Sequence, residues 1–76
     1  MENKKSLDFH FQEALIHIEK AIDQSIESVL SNEVSAQQIG QRWETFISQF
    51  LYYVRIKGKE KGINFFKWIN IRRIFN

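Results

Sequence analysis

Apolar residues between Leu7 and Leu30 recur every three or four positions, and this period constrains the fold more than any other feature of the sequence. Such spacing places the residues on one face of an α-helix. The face comprises Phe11, Leu15, Ile18, Ile22, Ile26 and Val29, with Ala14 and Ala21 beside them. Polar residues occupy the other side, and Ser6 or Asp8 can cap the first turn. The pattern predicts a first helix over about residues 7–31.

A second helix start follows after a short break at residues 31–33. Ser35 and Gln38 have the spacing of a capping box, in which each side chain satisfies a backbone N–H group of the other residue. The apolar period then runs through Val54, and Gly58 directly after Lys57 is a natural C-terminal cap. We therefore expect a second helix over about residues 36–57. A short connection between two long helices favours an antiparallel helical hairpin within an all-α fold.

The apolar band of the second helix is wider than one neighbouring helix can cover. It spans an arc of well over 100°. Its members, the expected partner interface, are Ile39, Trp43, Phe46, Ile47, Phe50, Leu51 and Val54. The C-terminal segment can fold back over this band, a second copy can complete a four-helix bundle by dimerisation, or a different protein can bind there. Of these, the sequence favours self-association.

Two local structures compete for residues 52–76. In one, Asn64 caps a short third helix from Phe65 to Phe75. In the other, residues 52–57 and 63–69 are strands of a β-hairpin, because β-branched and aromatic residues favour strands. The helical period that continues through Val54 favours the helix. We expect a single domain over residues 1–76, with an acidic hairpin at 1–57 and a basic aromatic segment at 58–76.

Charge is divided sharply along the chain. Residues 1–54 contain four Lys or Arg against eight Asp or Glu, a net charge of −4, whereas residues 55–76, here called the basic end, contain seven against one, a net charge of +6. Cations neutralise phosphates and aromatic rings stack on exposed bases, so this composition predicts contact with nucleic acid. The expected binding residues are Arg55, Lys57, Lys59, Lys61, Phe65, Lys67, Trp68, Arg72 and Arg73.

Two other functions fit the same residues. The apolar band of the second helix would suit an inhibitor or adaptor that binds another protein, with Trp43, Phe46 and Phe50 as anchors. Residues 63–75 would also suit an anionic membrane surface, with the aromatic and Ile side chains at the headgroup boundary and the cations in the polar layer. Nucleic-acid binding is the preferred interpretation, and the membrane is the least favoured.

Catalytic and metal-binding motifs are not found in the sequence. Cysteine is absent, so a disulfide scaffold, a Cys-based zinc site and a thiol nucleophile are excluded. His10, Glu13 and His17 share a helical face, but their spacing differs from that of catalytic zinc motifs and is typical of a solvated stripe. No phosphate loop, dinucleotide fingerprint or nucleophile elbow occurs. We expect a non-enzymatic regulatory protein without cofactors, and a cytoplasmic one because no signal peptide or spanning segment is evident.

Overall fold

The computed structural model describes residues 6–75, and every regular element in that range is helical. The elements are α1 (Leu7–Leu30), α2 (Ala36–Lys61), a 3₁₀ turn at Phe65–Trp68 and α3 (Ile71–Ile74). The all-α prediction is confirmed, with two long helices and a short C-terminal piece. The chain divides into two units, Met1–Ile39 and Gly40–Asn76.

Local capping explains both ends of α1. At its start, the Phe9 N–H donates to the Ser6 hydroxyl oxygen at 3.0 Å, so Ser6 is the cap. At its end, Asn32 adopts a positive φ of 63°. The Asn32 N–H donates to the Val29 carbonyl at 3.0 Å, and the Glu33 N–H donates to the Ser28 carbonyl at 3.0 Å. These two bonds form a Schellman motif, which ends the helix one residue before the predicted boundary.

The start of α2 is the predicted capping box. The Gln38 N–H donates to the Ser35 hydroxyl oxygen at 3.1 Å. In return, the Ser35 N–H donates to the Gln38 Oε1 atom, also at 3.1 Å. Two backbone donors that the first turn leaves without helical partners are thereby satisfied, which explains why the helix begins at this point.

The predicted end of α2 at Lys57 is wrong, because the helix continues to Lys61 and Gly62 closes it. Gly62 has a φ of 69°. The Gly62 N–H donates to the Lys59 carbonyl at 3.4 Å, and the Ile63 N–H donates to the Gly58 carbonyl at 2.9 Å, which is a second Schellman motif. Gly58 is therefore inside the helix, where a Cβ atom would lie 2.7 Å from the Ile63 carbonyl oxygen. Glycine is needed there for close approach of the backbone and not as the cap.

The predicted continuous helix from Phe65 to Phe75 is also wrong. A 3₁₀ turn ends at Trp68, and Ile69 and Asn70 then have extended backbone angles before α3 begins. Asn64 makes no side-chain capping bond, whereas the Asn70 Oδ1 atom accepts from the Arg72 N–H at 3.0 Å. Residues 63–75 have no single apolar face whose burial would stabilise one continuous helix. The β-hairpin alternative is overturned, since residues 52–61 are helical and no strand occurs in residues 6–75.

Candidate interaction surfaces

The apolar band of α2 is largely exposed. Four of its seven residues keep large accessible fractions: Phe46 48%, Ile47 49%, Phe50 53% and Leu51 37%. Ile39, Trp43 and Val54 are half-buried. The rings of Trp43 and Phe46 meet edge to face, with centroids 5.9 Å apart at an angle of 86°. Large apolar side chains exposed side by side on one helix are typical of a surface that binds a partner.

The apolar stripe of α1 is divided lengthwise, which its residue spacing does not reveal. Ile18, Ala21 and Val29 are half-buried along one side of the stripe. Its other side is exposed, with fractions of 57% for Leu15 and 54% for Ile26. Helical geometry places Leu15, Ile22 and Ile26 next to one another on that side. No hydrophobic residue between residues 6 and 75 is fully buried.

Because α2 extends to Lys61, it carries four cations of the basic end, and they lie on two faces. At 3.6 residues per turn, Arg55 and Lys59 share one face, and Lys57 and Lys61 share another, roughly 200° away. Arg55 and Lys59 lie on the same side as Tyr52, with Arg55 one turn after Leu51 at the edge of the apolar band, whereas Lys57 and Lys61 continue the line of the band. A single linear ligand on one face of this helix therefore cannot contact all four.

Lys57 differs from the other three basic-end cations of α2 in its contacts. The Lys57 Nζ atom lies 3.5 Å from a carboxylate oxygen of Glu60 and 5.7 Å from the centre of the Tyr53 ring. Glu60 is the only acidic residue of the basic end. Among the residues that the structure describes, Arg55, Lys59 and Lys61 have no ion-pair partner, and all three are exposed. Their charges are thus available to an anionic ligand without first breaking an ion pair.

The polar face of α2 carries a shallow, open depression. Its lining residues are Ser48, Gln49, Tyr52, Tyr53 and Arg55. Both tyrosines are well exposed, at 60% and 62%. All five residues come from one helix, so the depression has no opposing wall. A site of this form suits an extended ligand lying along the helix better than a small molecule, which binds in an enclosed pocket.

After α2, the chain brings two of the predicted binding residues together. Phe65 and Trp68 are three residues apart in the 3₁₀ turn, and their ring centroids lie 5.5 Å apart at an angle of 54°. Trp68 is 68% exposed. Lys67 lies between them in the sequence, and Arg72 and Arg73 follow in α3, all of them exposed. The turn therefore presents an aromatic pair flanked by cations to solvent.

Neither a metal site nor a spanning helix is found in the part of the chain that the structure describes. His10, Glu13 and His17 do not form a cluster that could hold a metal ion. No helix among residues 6–75 combines the length and apolarity needed to cross a lipid bilayer. Comparison with known proteins adds no family: the chain matches no protein-family model, no curated protein and no solved structure.

Proposed function

We propose that this chain is a small, cytoplasmic, non-enzymatic binding protein whose basic end contacts nucleic acid. The observation that carries the proposal is the pairing of Arg55 and Lys59 on one face of α2, both exposed and both without an ion-pair partner among the described residues. Exposed cations of this kind release counterions when they meet phosphates, which is the main source of affinity for nucleic acid.

Aromatic residues near these cations support a single-stranded ligand. Tyr52 lies on the same face of α2 as Arg55 and Lys59, and 60% of its surface is accessible. The pair formed by Phe65 and Trp68 offers a second stacking surface. Bases are available for stacking in a single strand but not in a duplex. In this proposal the cations hold phosphates and the rings hold bases.

Opposite faces of α2 provide a matched test. One double variant, Arg55→Ala with Lys59→Ala, removes two positive charges from the polar face. The control, Lys57→Ala with Lys61→Ala, removes two from the other face. Fluorescence anisotropy of a labelled single-stranded oligonucleotide, titrated at several salt concentrations, should show weaker binding by the first variant. Two lost phosphate contacts should reduce the slope of log K against log salt by about 1.4.

Three results would contradict the nucleic-acid proposal. The first is failure of the wild-type chain to bind the oligonucleotide even at low salt. The second is an equal loss of affinity in both double variants, which would indicate a response to net charge alone. The third is a blue shift of Trp68 emission with anionic vesicles and none with oligonucleotide, which would assign the basic end to a membrane surface. A Trp43→Phe background leaves Trp68 as the single reporter.

The exposed apolar band of α2 supports a second candidate function, binding to another protein chain. Phe46, Ile47 and Phe50 form an uninterrupted apolar patch, and burying this patch away from water would be favourable. The occupant is a second copy or a target that the chain inhibits or links to others. The antiparallel hairpin, and the four-helix bundle that two hairpins would form, remain predictions of this second proposal. A Trp68→Phe variant tests the band, because it leaves Trp43 as the only tryptophan. A bound partner chain would protect the fluorescence of Trp43 from a soluble quencher.

A further inference from the structure

We propose that the depression on the polar face of α2 holds one adenine base of a single strand, stacked on Tyr52 and recognised by Gln49. Arg55 and Lys59 hold phosphates of the same strand. The inference rests on the nucleic-acid function proposed above and deepens it, because it assigns a base preference to that site. All four residues belong to one helix within the unit Gly40–Asn76, so helical geometry fixes their spacing.

Four side chains form a straight stripe along this face of α2. They are Ser48, Tyr52, Arg55 and Lys59, which follow one another at steps of four, three and four residues and lie within about 60° around the helix axis. At 1.5 Å per residue, Arg55 and Lys59 are separated by about 6 Å along the axis, which is comparable to the spacing of successive phosphates in an extended strand. A strand lying along the stripe can therefore place two successive phosphates on these cations and a base over Tyr52.

The Tyr52 ring is open for stacking. It is 60% exposed, and within residues 6–75 neither an aromatic ring nor a cation contacts it. Tyr53 also lines the depression, but the Lys57 Nζ atom lies 5.7 Å from the centre of its ring. Stacking on an aromatic ring is favourable for every base, because every base has a π face. Tyr52 thus contributes affinity, and the choice of base depends on a neighbouring side chain.

Gln49 provides the hydrogen-bonding groups for that choice. It lies three residues before Tyr52, a spacing that makes the two side chains neighbours on the helix surface, and both line the depression. The Gln49 side chain is exposed and makes no hydrogen bond within the part of the chain that the structure describes. Its carboxamide has both donors and an acceptor, which match the N7 acceptor and the N6 donor of adenine. Guanine presents two acceptors at the same edge, and a pyrimidine covers less of the Tyr52 ring than a purine does.

Charge determines on which side of the base the phosphates lie. Arg55 and Lys59 follow Tyr52 along the helix, whereas Glu44 precedes it by two turns on the same side of α2, and its side chain is exposed. Phosphates that extend toward Lys59 meet cations, and phosphates that extend toward Glu44 meet a carboxylate. The stripe is therefore suited to one base followed by two phosphates.

Fluorescence anisotropy of the full-length chain tests the base preference, with labelled strands of equal length made of deoxyadenosine or of 7-deaza-deoxyadenosine. The wild-type chain should bind the deoxyadenosine strand about fivefold more tightly, because the other strand lacks the N7 acceptor. Gln49→Ala should bind the two strands with affinities that agree within about twofold. The control is Gln41→Ala, which removes an exposed glutamine two turns earlier in α2 and should keep the fivefold preference.

A second pair of variants tests the stacking role. Tyr52→Leu should weaken binding of both strands by about fivefold or more, whereas Tyr52→Phe keeps the ring and should bind like the wild-type chain. Adenosine monophosphate at the concentration of the strand should not displace it, because it offers one phosphate and not two.

The wild-type comparison of the two strands requires no variant to fold, and equal affinities would overturn the inference. So would a preference that Gln49→Ala retains, unchanged binding by Tyr52→Leu, or displacement by adenosine monophosphate. If the strands bind equally while the Arg55 and Lys59 double variant still loses affinity, the nucleic-acid function stands and the adenine site alone is refuted. If the wild-type chain binds neither strand, both are refuted.

Discussion

Replacement of Gly58 by alanine should destabilise the protein, although the same change stabilises most helices. Alanine in a helix interior is about 1 kcal/mol more favourable than glycine. At Gly58, however, the new Cβ atom would lie 2.7 Å from the Ile63 carbonyl oxygen, well inside van der Waals contact. Relief requires movement of the backbone that carries the 2.9 Å bond from the Ile63 N–H to the Gly58 carbonyl. Overpacking of this kind costs about 1–3 kcal/mol, so we expect a net loss of about 1 kcal/mol.

Gly40 provides the matched control for this prediction. It lies in the same helix, and a Cβ atom there would meet nothing within 4 Å. Gly40→Ala should therefore raise the free energy of unfolding by about 0.5–1 kcal/mol. Urea unfolding followed by far-UV circular dichroism, at one protein concentration, should separate the two variants by about 2 kcal/mol. If Gly58→Ala proves as stable as Gly40→Ala, the closure of residue 63 over Gly58 is not a constraint on this fold.

Three further outcomes follow from the capping bonds and the apolar band of α2. Ser35→Ala removes the acceptor for the Gln38 N–H and should lower the free energy of unfolding by about 1 kcal/mol in the same urea assay; no change would contradict the capping box. Asn32→Ala places at a φ of 63° a residue that has a Cβ atom but no hydrogen-bonding side chain, and it should lower the free energy of unfolding by about 1 kcal/mol. Asn32→Gly should be neutral or stabilising. Equal melting temperatures for the two variants would contradict the left-handed cap. If a second copy of the chain occupies the apolar band, so that two basic ends act together, Phe50→Lys should lower oligonucleotide affinity on the order of 100-fold. Anisotropy with a long and a short oligonucleotide checks this, because the affinity for an oligonucleotide too short to reach both ends should fall little.

Helix positions in this protein were predictable where a few adjacent residues decide them. The start of α2 depends on Ser35 and Gln38, which bond to each other across three residues and need no other part of the chain. The end of α1 lies one residue from its predicted position, because the Schellman motif at Asn32 uses only bonds within residues 28–33. The width of the apolar band of α2 was also predictable, since helical geometry converts spacing directly into an arc.

The end of α2 was not predictable in the same way, because two glycines competed for one role. Gly58 and Gly62 are both suitable caps by residue type. The choice depends on which of them permits the chain beyond the helix to return over the last turn. With the left-handed residue at Gly62, the Ile63 N–H reaches the Gly58 carbonyl, and Gly58 leaves the space that this approach requires.

The sequence by itself determined that the chain is helical, where its two long helices begin, and that acidic and basic residues occupy different parts of it. The apolar period, the helix caps and the charge composition are local properties, so their effects do not depend on the position of the rest of the chain. The tertiary structure decided which side of the α1 stripe stays exposed and where the chain turns back over Gly58. The end of α2 is local too, but the sequence offered two glycines for it, and only the structure shows that Gly62 is the left-handed cap, which extends α2 to Lys61 and places Arg55 and Lys59 on a different face from Lys57 and Lys61. These features depend on which atoms approach one another in space, and residue spacing alone does not specify that.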